Sequence, residues 1–362
     1  MSTSLLRKSV PFAFLITLGF TLPGGELGFH PADGTSLTKK FNSEFTLRLA
    51  DLSANAMGQE IDPAMMGDPQ VTLVGTQELT LTDDFVKVGR GRPLELTRLF
   101  DSLAGKMSFE ASAQGDSQSD EKELKSDLAG KKVTYKWDDK DSKYAIAWAE
   151  GHDGDEKLLE DLQEDMDLRF LIGDGTHEAG ESWEVASNKL GDLLFPGSSF
   201  KLNSGDEDAD SEEFDQFLEE LDIDEEEMIA KLFQGSVKAT FAGLKDVDGM
   251  QLAEISIEAE ISSSNDFADL VGRAIEKMME KEGADLSQKP ELEQVLLDLS
   301  FKGTGTLMWD AKAGHAHSFE IAGEGTATLS MAASIDMEGQ SMAMKGSVEF
   351  EGEFSSSLEV SR

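Results

Sequence analysis

The residues best suited to chemistry in this chain are two histidines. His315 and His317 stand two apart in an alternating stretch, so a β-strand would turn both imidazoles to one face, where they could share a metal ion. No third ligand follows at a recognisable spacing, and the alternative places both at the wet end of a strand just after a turn. Asp206, Asp208 and Asp210 fall at positions one, three and five of a calcium loop. Ser211 then stands where that loop turns on Gly, and Phe217 where its bidentate Glu belongs, so the stretch reads as a solvated acidic linker running into a helix. Gly89-Arg90-Gly91-Arg92-Pro93 is a basic island, but a phosphate loop needs a following helix N-terminus. Pro93 leads instead into the alternating Leu94-Glu95-Leu96, which favours a tight turn between strands over contact with a peptide or anionic partner. His152 and His177 lie in Gly- and Asp-rich loops with no nucleophile beside them, and there is no Gly-x-Ser-x-Gly elbow. The expectation is a protein without catalytic residues.

Glycines supply a different signal. Gly303, Gly305, Gly323, Gly325, Gly346 and Gly352 all fall in phase with the apolar residues of C-terminal strands. Glycine weakens a strand, so several on one inner face need a reason. They either permit strong coiling and the close approach of a helix, or they leave a groove for an apolar ligand. In the second reading the groove is lined by Phe319, Met342, Met344 and Phe350, with Phe267 and Val271 on the covering helix.

These residues need elements to position them, and period two dominates the chain. Phe41, Phe45, Leu47 and Leu49 alternate with polar partners, as do Val71, Leu73, Leu79 and Leu81, and then Met107 and Phe109. Val133, Tyr135 and Trp137 repeat the pattern, and Ile255, Ile257 and Ile261 extend it. Met342, Met344, Val348, Phe350, Phe354, Leu358 and Val360 line one side of a final long strand. Strands with one wet face belong to antiparallel sheets. The fold class expected is mainly β (α+β): long, curved antiparallel sheets or an open half-barrel, covered by a few amphipathic helices. Helical spacing marks Leu158, Leu159, Leu162 and Met166, then Phe214, Phe217, Leu218 and Leu221, then Met228, Ile229, Leu232 and Phe233. The clearest helix runs over 265–282, capped by Asn265 or Asp266.

The chain has 362 residues and a net charge of −40, from 72 acidic and 32 basic residues. Such a field repels nucleic acid and anionic membrane surfaces. There is no cysteine, hence no disulfide or thiol chemistry. Arg7 and Lys8 precede an apolar run from Val10 to Leu22, and Pro23-Gly24-Gly25 follows. That is the length of a signal-peptide core and too short for a stable membrane span. Residues 1–25 are therefore expected to direct export, to the periplasm or outside the cell. Beyond them the expected divisions are an N-terminal β-rich part over 36–203, an acidic helical connector over 204–234 and a C-terminal β-rich part over 235–362. Trp137-Asp138-Asp139-Lys140 and Trp309-Asp310-Ala311-Lys312 recur at strand ends, which fits either two related halves or a repeated turn.

Gly180-Glu181-Ser182-Trp183-Glu184-Val185 resembles a phrase found in exported bacterial β-sheet proteins of unknown function. Gly91-Arg92-Pro93-Leu94, leading to Arg98-Leu99-Phe100-Asp101, is similar to another phrase of that group. The resemblance implies a fold and no residue roles. The wider architecture is similar to the periplasmic lipoprotein carriers, which implies an apolar cavity by fold-level analogy.

Three readings follow. The first is a non-catalytic exported protein that binds an apolar small molecule or lipid and needs no cofactor. The second is a structural or interaction protein docking on a partner of the cell envelope. The third is a hydrolase or metalloprotein using His315 and His317.

Overall fold

Alternation with period two tells each strand which face is apolar, but not which strand it joins. The pairing comes from a computed structural model, which describes residues 25–61, 67, 69–113, 116–160, 162–173, 175–186, 189–203, 231–282, 290–337 and 340–362. The export segment expected at 1–25, apart from Gly25, lies outside the described residues. So do the acidic stretch from Asp206 to Glu227 and the helix expected around Phe214; of the helix expected over Met228–Phe233 only the end is described, with Lys231 and Leu232 helical and Phe233 in a turn.

Strand β1 (Gly25–Leu27) is short and leads to β2 (Thr35–Ala56), β3 (Gln59–Ile61), β4 (Gln70–Gly89) and β5 (Arg92–Ala113). Strands β6 (Asp116–Lys125), β7 (Lys132–Asp138), β8 (Lys143–Trp148), β9 (Gly175–His177) and β10 (Ser182–Val185) follow. A five-residue helix α1 (Leu190–Leu194) precedes β11 (Gly235–Val247) and β12 (Met250–Asp266). Helix α2 (Ala268–Glu282) then leads to β13 (Glu291–Asp310), β14 (His315–Met337) and β15 (Gln340–Ser361).

Thirteen of these strands form one antiparallel sheet in the order β10-β11-β12-β13-β14-β15-β2-β4-β5-β7-β8, with β3 on β2 and β6 on β5. The protein is thus mainly β, as the alternation predicts. The path follows the chain except where β15 meets β2, pairing Leu358 with Phe41 and Phe354 with Phe45. There the two β-rich parts join into a continuous sheet. The long strands reach 22 residues in β2 and 23 in β14, or about 70 Å of extended chain.

One face of the sheet carries the core. Leu37, Phe41, Leu79, Leu81, Phe100, Ile255, Leu307, Phe319 and Leu358 are buried on it. The outermost strands β8 and β10 are linked by residues 149–181, and residues 186–203 run back until Asn203 pairs with Lys125 at the end of β6. Leu159, Leu162, Met166, Leu171, Leu193 and Phe200 from these two crossings share one apolar cluster with the sheet. Phe200 meets Phe100 edge to face at 5.1 Å.

The helix expected over Leu158–Met166 does not form. A 3-10 turn, Glu156–Leu158, is followed by irregular chain. Its backbone groups are taken by side chains: Arg98 donates to the carbonyls of Gln163 and Glu164, both at 2.8 Å. The Asp165 carboxylate accepts from the N–H groups of Asp167 and Arg169, both at 3.0 Å. Apolar spacing still buries the side chains, but the hydrogen bonds that would define a helix are used elsewhere. Helix α2 forms as expected, with the Asp266 carboxylate accepting from Ala268 N–H at 2.9 Å and from Val295 N–H at 3.1 Å. These two bonds pull its pKa down.

The glycines have a packing explanation. A methyl group on Gly323 or on Gly303 would sit 2.6 Å from the Phe301 ring, so this ring lies across both glycines of adjacent strands. A methyl on Gly352 would strike Leu47 at 2.6 Å.

Candidate functional site

The apolar face divides into a filled end and an open end. The step between them is aromatic: Phe195, just after α1, meets Phe354 at 5.4 Å, and Phe354 meets Phe301 at 6.2 Å. Among the described residues the apolar cluster shared with the 149–203 segments takes Leu358, Val360 and Phe354 from β15 and nothing nearer its start, yet the strands continue with the same alternation. Phe350 pairs with Ala327 and Leu49, Val348 with Leu329 and Leu52, and Met344 with Ala333 and Ala56. On the other side of β2, Leu47 pairs with Leu73 and Leu73 with Phe109. Large apolar side chains here stand in solvent: Met331 is 49% exposed, Leu329 44%, Met344 38% and Phe109 38%. From Gly352 to Met342 this open surface runs about 30 Å along β15.

The residues expected to line a groove are split by this division. Met342, Met344 and Phe350 lie on the open end. Phe319 pairs with Leu358 and Leu307 in the filled end and is buried. It lies 14 residues along β14 from Ala333, the partner of Met344, or about 45 Å away. Phe267 sits where α2 leaves the sheet, its N–H donating to Val295 O at 2.7 Å, and the Val271 N–H donates back to Phe267 O. Val295 pairs with Met331, so Phe267 and the first turn of α2 stand beside the open surface.

His315 is buried and His317 half-buried, in a cleft of about 750 Å³ shared with Leu37, Asp310 and Val360. His315 Nδ1 lies 2.7 Å from the Ala316 carbonyl and so carries the proton. Burial pushes its pKa down, against the pull of Asp167 and Asp310. His317 occupies a bulge, since Trp309 pairs with Ala316 and Met308 with Ser318. The two imidazoles therefore depart from the simple same-face arrangement of a regular strand. Among the described residues no three His, Asp or Glu side chains gather to hold a metal ion.

The basic island is a hairpin turn, with Arg90 at φ 55° and Gly91 at φ 73° between the paired Gly89 and Arg92. Its cations are engaged within the chain: Arg90 pairs with Asp139 at 2.7 Å, and Arg92 lies 4.1 Å over Trp137. The two Trp-Asp-x-Lys phrases form like turns, Asp138 accepting from Lys140 N–H and Asp310 from Lys312 N–H.

A buried ionic network escapes the sequence reading. Lys39 Nζ lies 2.7 Å from both Asp83 Oδ2 and Asp167 Oδ2. Arg98 grips Asp83 with two bonds, Nε to Oδ1 at 2.6 Å and Nη2 to Oδ2 at 2.9 Å. Arg169 pairs with Glu164 and, at 3.0 Å, with Asp165. Burial pushes the Asp83 carboxyl up, but Arg98 and Lys39 outweigh it and hold its pKa at about 2. Burial would depress Lys39, and Asp167 and Asp83 raise it instead. Burial raises Glu164 despite the opposing Arg169, and it pushes Tyr135 up to about 12. The signal was present: Lys39, Asp83 and Arg98 each occupy an inward position between two apolar residues, Leu37 and Phe41, Leu81 and Phe85, Leu96 and Phe100. Each of these charges has an opposite charge beside it, so the network ties the 162–171 segment to three strands.

No helix among the described residues is long and apolar enough to cross a membrane. No protein-family model matches the chain, and no curated protein matches it.

Proposed function

We propose that this is an exported, non-catalytic protein that binds a lipid-like apolar molecule on the open end of its sheet. The observation that carries the reading is the exposure of Met331, Leu329, Met344 and Phe109 in register with a core face. Contiguous apolar surface on a sheet costs free energy in water, about 25 cal/mol per Å², and such patches mark interaction sites. An extended acyl chain suits a surface about 30 Å long and walled by methionines, which adapt to irregular shapes. The charge of −40 selects against anionic headgroups, so the occupant carries an uncharged or zwitterionic one.

The test is titration of the delipidated protein with an uncharged fluorescent acyl probe. Leu329→Glu and Met331→Glu should weaken binding at least tenfold while the denaturation midpoint stays unchanged. Equal binding by these variants and the parent would remove the reading. Loss of a tightly held protein on substitution, with no probe response in the parent, would replace the lipid by a docked partner of the envelope.

A further inference from the structure

The end of the sheet opposite the open surface carries a second concavity. It is the cleft of about 750 Å³ around His315, formed where the β11–β12 and β13–β14 hairpins turn beside the start of β2 and the end of β15. Its size falls within the range of small-molecule sites. Ala333, the partner of Met344, lies near the far end of β14, so the cleft and the open surface are separate. His315 is 6% exposed, and its Nδ1–H donates to the Ala316 carbonyl at 2.7 Å. Burial lowers its pKa and the Arg362 charge acts in the same sense, against the Ala316 carbonyl, Asp167 and Asp310, so the ring is neutral at neutral pH. Its Nε2 therefore offers a lone pair, and this buried atom has no hydrogen-bond partner among the described residues. Buried acceptors without a donor are rare in folded proteins, and this one belongs to the wall of a cleft.

The charges around this lone pair are of both signs. Asp310 accepts from Lys312 N–H at 3.0 Å and Ala313 N–H at 2.8 Å through Oδ1, and its Oδ2 makes no bond among the described residues. Lys312 and Arg362 line the same cleft, and neither forms an ion pair among the described residues. In a chain with 72 acidic and 32 basic residues, two cations without a carboxylate partner need a reason. Leu37, fully buried, and Val360, half-buried, give the cleft an apolar wall together with Met250. We infer that this cleft binds a free α-amino acid with an apolar side chain. The ammonium group donates to His315 Nε2 and Asp310 Oδ2, the carboxylate faces Lys312 and Arg362, and the side chain lies on Leu37, Met250 and Val360. A carboxylic acid lacks the donor that Nε2 requires and is repelled by the net charge of −40, whereas a zwitterion carries no net charge. A simple amine leaves both cations unmatched.

The site goes beyond the lipid reading and stands or falls without it. The experiment is calorimetric titration of the full chain with L-leucine, with isocaproate, which lacks the ammonium group, and with leucinamide, which lacks the carboxylate. Saturable binding of leucine is expected, with both analogues at least tenfold weaker. Lys312→Glu, at an exposed side chain, should weaken leucine at least tenfold while the thermal midpoint stays unchanged. Nitrogen NMR of the histidine rings gives a second readout that does not depend on a variant of a buried residue: the Nε2 resonance of His315 should move as leucine saturates. No saturable binding of leucine, or isocaproate bound as tightly as leucine, would overturn the inference. So would an Nε2 resonance that stays in place at saturation, or one that moves with zinc chloride and not with leucine.

Discussion

Lys39 and Asp167, 128 residues apart in the chain, meet at 2.7 Å in the interior of the filled end. With Asp83 and Arg98 they fix an irregular segment against three strands, where apolar contact alone would allow it to slide. Asp83 is the hub, because both cations depend on it. Asp83→Ala leaves Arg98 without its bidentate partner and should cost about 3–5 kcal/mol in denaturant unfolding. A cost below about 1 kcal/mol would mean that the network is not formed.

The same group sets an acid limb. The folded pKa of Asp83 is depressed to about 2 from 3.8, so its stabilisation is present above pH 3.8 and is lost as the pH falls through 2. The contribution is about 2 kcal/mol. Glu164 works in the opposite sense: its folded pKa is raised above 4.5, so its contribution is present below that pH and is lost as the pH rises through the folded value. Unfolding midpoints measured from pH 2 to 8 should rise steeply on the acid side. Glu164→Gln should flatten the decline above pH 4.5, and an unchanged profile would contradict the assignment.

Glycine positions give a contrast that needs no ligand. Gly323→Val forces a side chain against the Phe301 ring and should destabilise by about 1–3 kcal/mol. Gly191→Ala, in α1 with open space around it, should be neutral or stabilising by up to about 1 kcal/mol. Comparable losses at both sites would argue against the aromatic-over-glycine packing.

Phe319 and Met344 separate the two ends of the apolar face. Phe319→Ala should cost about 3–5 kcal/mol, as for a closed core position. Met344→Ala should cost less, about 1 kcal/mol, because the residue is 38% exposed. Equal costs would mean that the open end is covered.

How much of this was legible in the sequence follows from what alternation encodes. Period two puts Met342, Met344 and Phe350 on one side of β15 and Phe319 on the matching side of β14. It carries no information on height along a strand, so it cannot separate Phe319 from residues about 45 Å away on the same face. The pairing of β15 with β2 is equally silent, since strands from opposite ends of the chain share no local signal. The failed helix after Asp155 shows the converse: Leu159, Leu162 and Met166 are buried as their spacing demands, while Arg98 and Asp165 decide the backbone. Leu27 and Phe29 give no signal of their burial in the sequence, because a three-residue strand is too short to show a period.

The central claim is that the open end holds an apolar molecule, and native mass spectrometry of the protein purified from its producing cell tests it most directly. A bound species of lipid mass is expected, released by organic solvent and absent from Met331→Glu. A bare polypeptide mass under gentle ionisation, with no uptake of uncharged lipid offered in excess, would contradict it.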